Sequence, residues 1–516
     1  MTLIEGIAGW VHRLTLKEIP PSTQERIRLQ IATAISAAAW TPWHEPSQRV
    51  HDAFEGSVGS AMVFATGARM APADAAFVNA AFAMAFDCDD YMLTGHTGHS
   101  AVQVPLAFGE RLDDVVVAAA AANEVVGRVS TACLLGPLNG QMSSYIHNLG
   151  AAIALSKLEG LSAEGIADAI GLALYQPNHC LVPGFWHEPS KTLTASQPLA
   201  QGITAVRLAR AGLEGPRDLF DHPLGFFHVF SFVDATGLFD GLGQTWFSDT
   251  LSYKRYPGTS YISAGVEGAL AAVEGTGWAA SEISSVRIDT TVLSATLDDL
   301  GAAGLTRGPL DANAINFSLR LSVAAALVLG DLTPDHLRPE TVAEAEPAIR
   351  ALAERIDVVH DLSQTARTLS ASPVGARLLA NLGVDPVRKI TRHLRELRQG
   401  SARRSAVEIG DRGSAWAGLR EILRSRGERV SDLDFDASSF RMLQSATVRV
   451  TAHGEERRRE VEVPIGACGR DHGEARELVR WRCQRAFGGP GDAVFDYLTS
   501  PSGTVEGLYE CTDPSR

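Results

Sequence analysis

The sequence predicts a mainly α protein: a large all-helical domain followed by a smaller α+β domain. Three observations predict it. Apolar, Ala- and Val-rich segments with helical spacing recur from residue 22 to about 213, and no alternating strand pattern appears down to about 250. The character then changes near 280, where Val286-Arg287-Ile288-Asp289 alternates apolar and polar. Further on, Val448-Arg449-Val450-Thr451 and Glu460-Val461-Glu462-Val463 flank a turn at Gly454 and read as a hairpin.

The elements follow in order. Ser22-Thr23-Gln24-Glu25 is a capping-box pattern, and Ile27, Ile31 and Ile35 recur at i+4, so 22–40 is an amphipathic helix. Segments 72–86 and 105–135 are apolar on most sides, as helices inside a bundle are. Segments 146–158, 162–175 and 196–213 are also helical, the last stopped by Gly212. In the second unit, 315–329 is an apolar helix and 346–358 a helix running into Val358-Val359. A basic-faced helix, Ala475 to Phe487, is expected to return to the helical unit. This gives a helical domain at 1–268, an α+β domain at 269–470 with a polar helical insertion at about 364–436, and a C-terminal segment at 471–516. The basic runs Arg392-His393-Leu394-Arg395 and Ser401-Ala402-Arg403-Arg404 read as solvated surface before they read as a gate or partner surface.

Composition narrows the function. The 516 residues are 45% hydrophobic and 21% charged, ordinary for a globular chain. No run of 18 or more uncharged apolar residues stands out, and the N-terminus lacks a basic segment ahead of an apolar core. Six scattered cysteines form no CxxC, which disfavours a zinc, iron–sulfur or disulfide framework and fits a reducing cytoplasm. The net charge of −14 argues against nucleic acid and anionic membrane as partners. The expectation is a cytoplasmic protein with no metal and no cofactor.

The stretch Asn79 to Glu110 carries the most chemistry. An Ala-rich helix runs into Asp87, Asp89 and Asp90, then a Gly-containing loop with His96 and His99, then a second apolar helix near Pro105. Carboxylates and imidazoles between buried helices must be desolvated or paired, which stabilises a fold poorly but suits acid/base chemistry. A solvated turn with capping aspartates is the equal alternative. Two lysines stand out beside this stretch. Lys191, in Ser190-Lys191-Thr192-Leu193, precedes an apolar helix, and Lys254 lies in Ser252-Tyr253-Lys254-Arg255-Tyr256-Pro257-Gly258. A lysine near a helix N-terminus suits a carboxylate ligand; either, taken alone, reads first as a surface charge.

These residues together resemble the MmgE/PrpD superfamily. Asn79 to Asp90 looks like that family's N-G-A-x-A-H-A-x-D-x-D-D helix end, and Lys191 to Gly202 keeps the spacing of its K-x-L-H-x-G-x-A-A-x-x-G segment. Gly215-Pro216, Gly225-Phe226-Phe227, Lys254-Arg255-Tyr256-Pro257 and Asn316-Phe317-Ser318-Leu319 resemble its later signatures. The similarity covers about 5–360 and resumes at 445–465. The resemblance implies a helical domain with an α+β lid, a site in the cleft between them, a homodimer, and metal-free chemistry on small di- or tricarboxylates. It includes 2-methylcitrate dehydratase, cis-aconitate decarboxylase and iminodisuccinate epimerase. Several family positions differ. The active-site histidine falls near Thr97, with His96 and His99 on either side. Tyr91 replaces a threonine, Gln141 and Thr194 replace histidines, and Leu321 replaces a tyrosine.

The resulting expectation is a cofactor-independent lyase of dehydratase type on a small carboxylated substrate, through an enolate-like carbanion. Asp87, His96, His99, Lys191, Tyr145 and His147 are the catalytic candidates, and Tyr91, Gln141, Lys254 and Arg255 the substrate-binding ones. Asp87 is expected to orient the histidine base, with Tyr145, His147 or Tyr91 as the second proton donor. Packing between helices is an even alternative for Tyr145 and His147. Lys191→Ala is expected to leave folding nearly intact. A second reading is an isomerase, cyclase or dehydratase of specialised metabolism, or a decarboxylase or epimerase on the same scaffold. A third is a non-catalytic paralogue that binds a ligand or partner through the insertion. An open, ligand-sized cleft would favour an enzyme, and a cleft filled by side chains the paralogue.

Overall fold

The computed structural model describes residues 1–137, 143–301, 308–371, 373–380, 382–399, 404–428 and 440–513. About 60% of the chain is helical, with small sheet regions, so the architecture is mainly α with a smaller α+β part. The N-terminal helices run Pro21–Ala39, Pro72–Met84, Leu112–Ala132, Tyr145–Leu158, Ala163–Leu174 and Leu193–Arg210. They share one apolar core. The Leu112–Ala132 helix shows why so many of these segments look apolar on every side. It is buried almost throughout, and its only internal charges, Glu124 and Arg128, pair at 2.7 Å with both side chains fully enclosed. By length and composition it could cross a membrane, a reading that a search for uncharged runs misses, but here it is a core helix.

A second core is built around a five-stranded sheet. Strand Ile283–Thr290 lies at its centre, parallel to Ile356–Asp361 and antiparallel to Ala446–Ala452. Ile288 sits level with Val358 on one side and Val448 on the other, which puts branched apolar residues in one layer. Glu455–Val461 closes the hairpin, and Ala406–Glu408 adds the opposite edge. Helices Ser263–Val273 and Leu319–Leu329 pack over this sheet.

Several predicted boundaries move for local reasons. The helix expected over 105–135 breaks at Gly109, giving Gln103–Phe108 and Leu112–Ala132. The helix expected over 315–329 is interrupted at Ser318, whose hydroxyl caps the second piece by accepting from Leu321 N. The helix expected at 346–358 is Pro339–Ala353, and Val358-Val359 belong to a strand. Two-residue pairings, Ala61–Met62 with Arg69–Met70 and Asp90–Tyr91 with Ser252–Tyr253, occur where no strand was expected. The stretch at 364–436 holds helices, but its Ala406–Glu408 strand joins the sheet. The C-terminal helix His472–Phe487 packs against Pro21–Ala39, and it is not merely basic-faced: Arg482 is fully buried.

Candidate active site

The site forms where the chain passes from the first core to the second. Helix Pro72–Met84 ends, and Asp87 takes a left-handed backbone (φ 50°), an uncommon conformation for a residue with a side chain. The chain then pairs through Asp90–Tyr91 with Ser252–Tyr253. That short ladder continues as Lys254 N–H donating to the Asp89 carbonyl (3.1 Å), which sets Lys254 against the aspartates. Gly258, at φ 113°, closes the turn by donating to the Phe86 carbonyl. A Cβ there would lie 2.7 Å from the Asn316 carbonyl oxygen, so only glycine fits. Lys191 enters from the one-turn helix Glu188–Lys191, ahead of Leu193–Arg210.

Two interlocked ion pairs result. Lys191 Nζ lies 2.5 Å from Asp87 Oδ2 and 5.0 Å from the centre of the Phe317 ring. Lys254 Nζ lies 2.6 Å from Asp89 Oδ1 and donates to the Asp87 carbonyl at 2.7 Å. The other Asp89 oxygen, Oδ2, meets His96 Nδ1 at 2.8 Å and His99 Nε2 at 2.9 Å. The histidines are therefore oriented by Asp89 and not, as the sequence suggested, by Asp87, which is committed to Lys191. Burial alone would raise both carboxyls. At Asp87 the charge of Lys191, then of Lys254, outweighs burial and holds the pKa below its ordinary value. At Asp89, Lys254 and His96 do the same and hold it well below.

A polar network supports the loop from behind. Asp90 Oδ2 accepts from Gln30 Nε2 (2.7 Å) and Gly98 N (3.2 Å). Gln30 also donates to Thr97 Oγ1 (2.8 Å) and accepts from Asn123 Nδ2 (2.7 Å). Burial, then the neighbouring Asp89 charge, raises the Asp90 pKa from its ordinary value. Gly98 is required sterically, since a Cβ would fall 1.9 Å from Asp90 Oδ1. His147 Nδ1 meets Ser100 Oγ at 3.2 Å, and its ring packs edge-on to His99 at 5.6 Å. Burial, then His99, pushes His147 well below the ordinary histidine value, so it is a neutral ring.

The structure thus brings together Asp87, His96, His99, His147, Lys191 and Lys254. Tyr91 joins them at the edge: its ring faces His96 at 6.2 Å and its hydroxyl points to Gln444 Oε1 (3.4 Å). Tyr145 is placed differently, packed between Phe226 and Phe230, with burial raising its phenol and Cys133 and Ser143 as its polar neighbours. Arg255 is also drawn away, pairing with Asp331 (2.7 Å) and stacking on Trp481 (4.2 Å). Gln141 lies outside the described residues. The sequence reading missed the central role of Asp89, and missed Gln30. The run of three carboxylates was the signal for Asp89. Gln30 carries no local signal, because its partners are 60 and more positions away.

The cluster is enclosed. Asp87, Asp89, His99, Lys191 and Lys254 are each at most 2% exposed, while the His96 side chain keeps 14%. Two surface clefts of about 370 and 380 Å³ lie elsewhere, one near Glu267 and Arg470, the other near Leu362 and Trp416. Among the described residues, no three His, Cys, Asp or Glu side chains are arranged to hold a metal ion.

Residues 5–236 match the MmgE/PrpD N-terminal domain and residues 256–393 the MmgE/PrpD C-terminal domain. The chain is 26% identical over 289 residues to a cis-aconitate decarboxylase of Aspergillus terreus, covering 51% of this chain and 58% of that protein. The chain thus spans little more than half of that relative. It is 24% identical over 388 residues to the cis-aconitate decarboxylase-like protein oryM of Aspergillus oryzae, covering 69% of this chain and 79% of that one. With both domains matched in order, the chain belongs to the MmgE/PrpD family, whose members include dehydratase- and decarboxylase-type enzymes.

Proposed function

We propose that this protein is a lyase that acts on a small carboxylated molecule through an enolate-like carbanion, without metal or cofactor. The observation that carries the reading is the Asp89 carboxylate holding His96 Nδ1. An imidazole fixed through Nδ1 presents Nε2 as a base, and the adjacent carboxylate stabilises the imidazolium that forms. His96 is also the one member of the set with appreciable exposure, so a substrate reaches it first. Lys191 and Lys254 then stabilise the charge that spreads onto a substrate carboxylate when the adjacent proton or carboxyl group leaves. Dehydration and decarboxylation share this intermediate. The relatives' names favour decarboxylation, with cis-aconitate as the first compound to test.

By the criterion drawn from the sequence, this side-chain-filled site counts towards the non-catalytic reading, and for the lyase reading a substrate must displace side chains to reach Lys191. A second reading takes its support from the same charges. Both lysines already hold carboxylates, and Lys191 borders the Phe185–Trp186–Phe317 cluster. A substrate with one carboxylate and an apolar body would suit that arrangement better than a tricarboxylate. The test is a panel of mono-, di- and tricarboxylic acids followed by NMR for released CO2, lost hydroxyl or α-proton exchange. Turnover of any member supports the lyase. Inertness towards the whole panel, with wild-type and His96→Gln protein alike, leaves the non-catalytic reading.

A further inference from the structure

The Asp87–Asp89 turn and the Lys254 turn meet through a short ladder, the Lys254 side chain and the Gly258–Phe86 hydrogen bond. A third element ties them. Arg482, on the His472–Phe487 helix, is fully buried, almost four hundred positions from the aspartates. Its Nη1 donates to the Lys254 carbonyl at 2.6 Å and lies 3.0 Å from Cys88 Sγ, and its Nη2 donates to the Cys88 carbonyl. Cys88 is the residue between Asp87 and Asp89. One planar fork therefore grips the peptide between the two catalytic-site carboxylates together with the peptide of Lys254, a geometry that a single ammonium cannot reproduce. The neighbouring Trp481 stacks under Arg255, so the helix holds two successive residues of the Lys254 turn.

The charge placement is equally specific. All hydrogen bonds of Arg482 among the described residues go to carbonyls and a sulfur, none to a carboxylate. A buried cation without its own carboxylate is costly unless charge nearby offsets it. Here its two carbonyl acceptors belong to Cys88, between Asp87 and Asp89, and to Lys254.

We propose that Arg482 is a positioning residue for the active site: it fixes the Asp87–Asp89 turn against Lys254. The kinetic part of this inference rests on the lyase reading; the structural part does not. The experiment compares wild type with Arg482→Lys and Arg482→Gln by hydrogen–deuterium exchange and by kinetics on whichever acid the wild type turns over. Peptides covering 86–91 and 252–256 should exchange at least tenfold faster in Arg482→Gln, with the Leu112–Ala132 helix unchanged. Arg482→Lys, which keeps the charge, should fall between. Turnover should drop at least tenfold in kcat for Arg482→Gln with KM moved less than threefold, and Arg482→Lys should recover part of kcat. Wild-type protection of both peptides, with loosening confined to 472–487, overturns the proposal. So does global unfolding of Arg482→Lys, which would make Arg482 a residue of the fold. A wild type that turns over no acid defeats the lyase reading alone, and the exchange data still decide Arg482.

Discussion

Lys191→Met should destabilise the protein, contrary to the sequence-based expectation that loss of this lysine leaves folding nearly intact. The two side chains of the Lys191–Asp87 pair are each 1% exposed and 2.5 Å apart. Removing one partner of such a pair leaves a buried uncompensated charge, at a cost of roughly 3–5 kcal/mol. At about 2.1 cal/mol/K of unfolding entropy per residue, a chain of 516 residues unfolding as one unit would lose about 3–5 °C in Tm. The pH dependence has a definite sign. Asp87 is held below its ordinary pKa, so in the wild type its contribution is full above that ordinary value near 3.8 and disappears as pH falls further. In Lys191→Met burial dominates and raises the same carboxyl, so the deficit is largest near neutrality and shrinks as pH falls towards 4 and Asp87 takes a proton. Asp87→Asn/Lys191→Met removes both charges and should recover most of the loss. The assay is urea and thermal unfolding of the wild type, both single variants and the double, at pH 7 and pH 5. A Lys191→Met protein as stable as wild type would refute the reasoning, as would a double variant no better than the single.

Three further outcomes follow from the same geometry. Asp89→Asn releases His96, His99 and Lys254 at once and should lower kcat/KM by about 10²–10⁴-fold in the substrate assay. His147 is held well below the usual histidine pKa, so the stability it lends is full above pH about 6.5 and is lost as pH falls. Unfolding should gain a slope of about 1.4 kcal/mol per pH unit below that point, and His147→Asn should remove it. Gly98→Ala drives a Cβ into Asp90 and should lower both stability and turnover, whereas Gly160→Ala, where nothing lies within 4 Å, should leave turnover unchanged despite its positive φ.

The fold class was legible because its signals are local. Apolar helical runs in the N-terminal half reflect helices buried on most sides, and alternation at Val286–Asp289 and Val448–Thr451 reflects strands of the sheet. Misplaced boundaries trace to side-chain events that periodicity does not register, such as the Ser318 hydroxyl capping a new helix in mid-run. Much of the site was legible too, since Asp87, the two histidines and both lysines converge. Which aspartate serves which partner was not. The choice depends on Asp87 adopting a left-handed backbone, which turns its carboxylate to Lys191 and leaves Asp89 to the imidazoles. Tyr145 looked like a proton donor by proximity along the chain, but its helix turns it into the Phe226–Phe230 cluster.

The central claim is that His96, held by Asp89, moves a substrate proton. Its most direct test is ¹H NMR of cis-aconitate and the related acids incubated in D2O with wild type, His96→Gln and His99→Gln. The account predicts deuterium at the carbon next to a carboxylate, or in the product derived from it, with wild type. It predicts none with His96→Gln at unchanged melting temperature, and for His99→Gln reduced stability with partial exchange. Wild-type exchange by His96→Gln would contradict it.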